Sequence, residues 1–273
     1  MNLLRRIDKS PTIKDWPVRI WALQEIKPAY LPYLKPWLSQ GLALEHLIFV
    51  PELPYGKGTP EYMLAIREGE VLFLCPNAGG AIETALVQRE RLLYLLYRTD
   101  LLLNWLDFCL LGENGEPRIL SAPFNRTTLH LFLPALNTLL GLPMNFDVLA
   151  EAQKSPVPKA LREENYAVYN HAADALRLGP SITEYHGRRL RLPILRRLKK
   201  HEQACVYSFP MERGLFLQKL DGYQTAAYYF PWKSVGEGSE YGSAEAQEWE
   251  ILLSCPNGIQ KQSAVKFPLI TPN

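Results

Sequence analysis

The sequence lacks the residue patterns that mark a metal site or a disulfide framework. It has four cysteines, Cys75, Cys109, Cys205 and Cys255, and none of them belongs to a CxxC pair. No two of its five histidines share the i, i+3 or i, i+4 spacing that places two ligands on one helix face. Cysteines scattered singly through a chain are typical of a reducing compartment. We therefore expect four unpaired thiols, no metal, no cofactor and a cytoplasmic location.

Catalytic motifs are also missing. The chain contains no phosphate-binding GxxxxGK[ST] or GxGxxG loop, no GxSxG nucleophile and no zinc-binding HExxH. One carboxylate is unusual, because Asp107 lies inside an apolar run beside Trp105. A buried carboxylate needs a partner, usually an arginine, so we interpret Asp107 as half of a structural ion pair. We expect no catalytic residue, although a site that the fold assembles from distant residues stays open.

The sequence has neither an excess of one charge nor a long apolar run. Lys and Arg number 30 and Asp and Glu 28, giving a formal net charge of +2. No global basic field therefore attracts nucleic acid or an anionic membrane. The longest uncharged stretch, 127–146, contains two prolines and a histidine, so we reject it as a membrane span. At 273 residues and 47% hydrophobic side chains, the chain is long and apolar enough for two domains.

Proline and tryptophan are concentrated at the start of the chain, in an N-terminal arm over 1–41. Five prolines and three tryptophans lie there. Proline at this density excludes a long helix or a central strand. Tryptophan is costly to leave in water, which favours an arm that wraps over the body of the protein. An exposed aromatic surface for a partner is the alternative.

The rest of the chain consists of two sets of short predicted strands. Regions 42–141 and 180–273 contain short apolar runs bounded by Gly, Pro, Asn and Asp turns. The first set ends in an amphipathic helix whose apolar stripe runs from Leu129 to Leu140. A Pro-rich linker and helix over 142–179 separates the sets. The predicted fold class is mainly β (α+β), with two β domains that fold separately.

Three segments carry a resemblance to a known family. Leu92–Glu113 and Phe124–Leu140 resemble bacterial pleckstrin-homology-like domains, and Gly214–Val235 looks like part of a second such unit. The resemblance covers 42–141 and 180–270 and rests on strand and turn patterns. It implies two tandem, strongly bent antiparallel β-units with capping and linker helices. It also implies a binding or scaffolding role, and it brings no catalytic residues with it.

A basic cluster opens the second strand set. Seven cations lie within thirteen residues, with no acid among them. Their alternation with leucine indicates a solvated strand face. The functional alternative is a site for a phosphorylated headgroup, nucleic acid or an acidic partner, because arginine forks fit phosphate geometry. The candidate anion-binding residues are Arg188, Arg189, Arg191, Arg196, Arg197, Lys199 and Lys200.

These observations predict a non-catalytic binding or scaffolding protein of the cytoplasm, whose partner is an unidentified protein. The first alternative is a peripheral binder of an anionic lipid headgroup or nucleic acid, acting through the basic cluster. The second alternative is an enzyme with a fold-assembled site. Integral insertion into a membrane is not expected.

Overall fold

The computed structural model describes residues 16–52, 60–100, 103–144, 157–175, 184–190, 204–222, 224–243, 245–254 and 263–268. Within these ranges the chain forms fourteen strands in three antiparallel sheets, together with four α-helices. The predicted class, mainly β with a smaller helical part, is confirmed.

A five-stranded sheet holds most of the first strand set. Its strands are neighbours in space in the same order as in the chain. Successive side chains along each strand point to opposite faces of the sheet. Ile48 and Leu64 therefore belong to the main hydrophobic core of the protein, whereas Leu47 and Met63 pack on the other face of the sheet. The strands are β1 (Val18–Arg19), β2 (Leu47–Val50), β3 (Tyr62–Arg67), β4 (Glu70–Pro76) and β5 (Ile82–Gln88).

A seven-stranded sheet combines strands from both halves of the chain. Its spatial order is β8-β7-β6-β12-β11-β10-β9. These strands are β6 (Leu92–Asp100), β7 (Leu103–Leu111), β8 (Pro117–Asn125), β9 (His186–Arg189), β10 (Ala204–Pro210), β11 (Gly214–Asp221) and β12 (Gln224–Pro231).

The pairing of β6 with β12 corrects the expectation of two separate β domains. The ladder runs from Asp100 opposite Gln224 to Leu95 opposite Tyr229, so 42–141 and 180–273 do not each complete a sheet of their own. Leu95 and Tyr229 belong to the same buried cluster. Pairing the two strands therefore joins two half-buried apolar surfaces into one.

The central core lies between the sheets and includes three helices. Helix α2 (Leu129–Leu140) follows the predicted stripe and ends at Gly141, whose φ of 75° is the left-handed conformation that favours glycine. Phe132 on this helix stacks on Phe124, with ring centroids 3.9 Å apart. The shorter helices α3 (Lys159–Glu164) and α4 (Tyr166–Ala175) contribute Leu161 and Val168.

The N-terminal arm packs on the outer face of the five-stranded sheet. Helix α1 (Leu31–Ser39) begins with proline in its first turn and is short, as the proline content predicts. Ile20, Ile26, Tyr30 and Leu34 are buried against this face of the sheet. The prediction that the arm wraps over the body is confirmed for 16–41.

A C-terminal hairpin covers part of the outer face of the seven-stranded sheet. It consists of β13 (Glu248–Leu253) and β14 (Ser263–Pro268). Trp249, Ile251 and Phe267 lie in one buried cluster with Leu217 and Phe230 of the sheet. The hairpin and the arm thus each cover part of the outer face of one sheet, and the opposite face of each sheet contributes to the central core.

Candidate functional site

The buried carboxylate predicted from the sequence forms an ion pair. Nε of Arg98 on β6 lies 2.7 Å from Oδ2 of Asp107 on β7. The side chain of Asp107 is only 6% exposed, whereas that of Arg98 is 43% exposed. Ser121 on β8 donates a hydrogen bond to the other carboxylate oxygen. The prediction of an arginine-paired Asp107 is confirmed.

A pocket of about 240 Å³ opens beside this ion pair, on the outer face of the seven-stranded sheet. Arg98 forms one wall, with its guanidinium 5.1 Å from the ring centroid of Trp105. Sequence reasoning missed the pocket, because its residues come from four strands that the β6–β7, β6–β12 and β11–β12 ladders bring together. The lining residues are Arg98, Thr99, Asp100, Trp105, Lys219, Asp221, Gln224, Thr225, Ala226 and Tyr228.

Tyr228 closes the pocket on the side of the C-terminal hairpin. Its ring stands edge-on to Phe267 of β14, with centroids 5.4 Å apart. Burial raises the pKa of its phenol, an effect that nearby Arg98 opposes and Asp107 reinforces. Tyr228 is therefore a neutral hydrogen-bonding group at physiological pH.

The basic cluster is only partly within the described residues. Arg191, Arg196, Arg197, Lys199 and Lys200 lie outside them.

The two cations of the cluster on β9 behave differently from each other. Arg188 donates hydrogen bonds to the backbone carbonyls of Ser243 and Ala246, at 2.9 and 3.2 Å, so its guanidinium holds a loop. Arg189 is exposed while Leu190 is buried, which is the predicted alternation. The anion-binding role of the cluster stays a hypothesis.

The described cysteines are poor nucleophiles. Cys75, Cys109 and Cys205 are free thiols, as predicted, and Cys255 lies outside the described residues. Burial raises the pKa of both Cys109 and Cys205 to about 11. The thiolate is the reactive form, so both thiols are almost fully protonated at neutral pH. In the described part of the chain, no three His, Cys, Asp or Glu side chains are grouped to hold a metal ion.

The arm presents four exposed apolar side chains within one short segment, here named the arm patch. Trp16, Val18, Trp21 and Leu23 are 36%, 46%, 63% and 55% exposed. The guanidinium of Arg19 lies 5.6 Å from the ring centroid of Trp21. Residues of the arm such as Ile20 and Leu34 are buried against the sheet, whereas Trp16 and Trp21 are exposed. Whether the exposed tryptophans serve a partner stays a hypothesis.

No protein-family model matches this chain, and no curated protein is significantly similar to it. The resemblance to pleckstrin-homology-like domains therefore stays a prediction. Among the described helices, none combines the length and apolar character needed to cross a membrane.

Proposed function

We propose that this chain is a non-catalytic binding protein and that a partner protein docks on the arm patch. The observation that carries the proposal is the exposure of four large apolar side chains between Trp16 and Leu23, two of them tryptophans. Contiguous exposed apolar surface marks interaction sites on soluble proteins, and we expect these four side chains to form such a surface because they lie close together in the sequence. Tryptophan is also among the residues that contribute most to binding energy at protein interfaces.

The position of the arm patch fits an extended segment of the partner. Strand β1 is an edge strand of the five-stranded sheet, and no described strand pairs with its outer edge. Such an edge offers backbone donors and acceptors to an added strand. Because β1 has only two residues, most of the affinity would come from partner side chains packed on Trp21 and Leu23.

The interior of the protein favours binding over covalent catalysis. The thiols of Cys109 and Cys205 are buried, and their raised pKa keeps them protonated. The buried carboxylate of Asp107 is already engaged, because Arg98 forms an ion pair with it and Ser121 donates a hydrogen bond to it. The resemblance to pleckstrin-homology-like modules also supports a binding role. The free thiols of the described cysteines support a cytoplasmic location.

The proposal is tested by removing the apolar surface without disturbing the fold. A Trp21→Ser/Leu23→Ser variant changes only exposed side chains of the arm. The matched control is Ile119→Ser on β8, because Ile119 is 58% exposed and lies in the other sheet. Each protein serves as bait for partners from native extract, and retained proteins are quantified by mass spectrometry.

We expect at least one protein to be retained equally by wild type and by Ile119→Ser. The amount of this protein retained by the arm variant should be about tenfold lower, which corresponds to a loss of about 1.4 kcal/mol in binding free energy. Equal retention by all three baits would remove the arm patch as the binding surface. Sedimentation velocity tests a different occupant, a second copy of this chain. If wild type self-associates and Trp21→Ser/Leu23→Ser does not, the arm patch binds a second copy of this chain and not a different protein.

A further inference from the structure

The outer face of β12 carries two stacked aromatic rings followed by a small residue. Phe230 and Tyr228 are two residues apart on this strand, so their side chains point to the same face of the sheet. Their rings have an interplanar angle of 2°, and the ring centroids are 6.0 Å apart. The next residue on the same face is Ala226, which has only a methyl group. The stack therefore ends at an open space above Ala226.

Tyr228 turns one face of its ring toward this space. Phe230 and Ala226 lie on opposite sides of Tyr228 along β12, and Phe230 stacks on the ring from its own side. Tyr228 and Ala226 both line the pocket of about 240 Å³. A planar ring above Ala226 would therefore extend the stack by one member, in the offset-parallel arrangement that aromatic pairs favour.

The open space has the dimensions of one large side chain. Ala226 stands opposite Arg98 on β6 and, on its other side, opposite Lys219 on β11. Neighbouring strands lie about 4.8 Å apart, so the backbones of these two residues are separated by about 10 Å. Along β12, residues on one face recur about every 6.8 Å. The pocket is also smaller than those that hold drug-sized molecules, which favours a single ring system.

The charged ends of the two flanking side chains are engaged away from the open space. Nε of Arg98 binds Asp107, and its guanidinium lies 5.1 Å from the ring centroid of Trp105. Both of these contacts are on β7, so the guanidinium leans away from β12. Nζ of Lys219 lies 3.8 Å from Asp221 on its own strand. The methylene stems of the two side chains are left to border the open space, which favours a neutral ligand over an ion.

Gln224 borders the open space at the end remote from Tyr228. It is the next residue after Ala226 on the same face of β12, and it lines the pocket. Its amide nitrogen donates to Oδ2 of Asp100 at 3.2 Å, which holds the amide group beside the pocket. A ring above Ala226 would thus have an aromatic ring on one face and a side-chain amide on the other.

We propose that this pocket binds a small neutral aromatic molecule. Its ring lies above the methyl group of Ala226, with one face stacked on Tyr228 and the other covered by the side chain of Gln224. The methylene stems of Arg98 and Lys219 flank its edges. The site is on a different sheet from the arm patch, so its test is independent of the partner protein proposed there.

The test uses benzyl alcohol as the probe and follows backbone amides by NMR. We expect saturable shifts of amides on β6, β11 and β12. Cyclohexylmethanol has the same hydroxymethyl group on a ring that is not planar, and it should bind about fivefold more weakly because it cannot stack on Tyr228. Benzoate and protonated benzylamine keep the aromatic ring but carry a charge, and both should bind more weakly than benzyl alcohol.

A further probe distinguishes a free molecule from a side chain of another protein. N-acetyl-phenylalanine amide presents the same ring on a peptide unit, for which the pocket offers no additional space. We expect it to bind more weakly than benzyl alcohol. Tighter binding of this probe would overturn the assignment of a free small molecule and make the ligand an aromatic side chain of a partner.

One variant supplies the missing ring from the protein itself. Ala226→Phe places a ring in the open space and should abolish the shifts, whereas Ala81→Phe adds the same side chain at an exposed position before β5 and should not. Should Ala226→Phe fail to fold, Gln224→Ala removes one wall at an exposed residue and should weaken binding about threefold. The proposal is overturned if benzyl alcohol causes no saturable shift, if cyclohexylmethanol or either charged probe binds as tightly, or if folded Ala226→Phe still binds.

Discussion

Arg98 and Asp107 lie diagonally across the β6–β7 ladder and form an ion pair in which one partner is buried and the other half-exposed. Arg98 stands opposite Trp105, and Asp107 stands opposite Leu96. The guanidinium therefore reaches along the face of the sheet to the carboxylate while it covers the Trp105 ring. The same side chain stabilises β7 and shapes the wall of the pocket.

Removing one member of this pair should destabilise the fold more than removing both. Arg98→Met leaves the Asp107 carboxylate buried without its cation, and we expect a loss of about 2 kcal/mol in the free energy of unfolding. The estimate is below the range for a fully buried pair, because water reaches the Arg98 side chain. Urea denaturation of Arg98→Met, Asp107→Leu and the double variant measures the coupling. Strictly additive losses would show that the pair contributes nothing beyond its separate side chains.

The β6–β12 pairing predicts that the two halves of the chain do not separate when the linker is cut. A specific protease site introduced after Lys154 allows cleavage between α2 and α3. Because β6 and β12 share a ladder and one core, the two fragments should still elute together from a native size-exclusion column. They should separate in denaturant. Compact fragments that part under native conditions would restore the picture of two independent domains.

Gly214 should tolerate no side chain, because of the close approach of β12. A Cβ at this position would lie 2.4 Å from the carbonyl oxygen of Phe230 and 2.8 Å from the Tyr229 ring. Gly214→Ala should therefore cost about 1–3 kcal/mol in the free energy of unfolding. Gly79→Ala is the control, since its Cβ would meet nothing closer than 3.4 Å, and it should change stability by less than about 0.5 kcal/mol. Equal effects in thermal or urea unfolding would contradict the packing described for β11 and β12.

The buried thiols predict a loss of stability in alkaline solution. Burial raises the pKa of Cys109 and Cys205 from 9.0 to about 11. Their contribution is fully present below pH 9 and is lost as the pH rises toward about 11, because the unfolded chain releases these protons first. At about pH 10 each thiol should lower the free energy of unfolding by about 1 kcal/mol relative to pH 8.

The control for this prediction is the Cys109→Ala/Cys205→Ala variant. Its stability should be lower at every pH, yet it should fall less between pH 8 and about pH 10 than that of wild type. Urea unfolding at the two pH values supplies the comparison. A variant that loses as much stability as wild type over this range would assign the alkaline effect to other groups, such as the buried tyrosines.

The sequence predicts local structure well and long-range pairing poorly. The stripe from Leu129 to Leu140 and the Asp107 ion pair follow from periodicity and from the cost of burying a charge. Alternation gives the two faces of β6 and of β12, but it carries no information about which strand lies beside which. The shared sheet, and with it the pocket above Ala226, therefore could not be derived. The exposure of Trp21 depends equally on how the arm packs.

The central claim, that a partner protein binds at the arm patch, is tested most directly by photo-crosslinking. A benzophenone amino acid replaces Trp21 in one protein and Ile119 in another, and both are irradiated in native extract. We predict a discrete heavier adduct with the probe at position 21 and none with the probe at position 119, since both positions are exposed but only the first lies in the arm patch. No adduct at position 21, or the same adduct at both positions, would contradict the account.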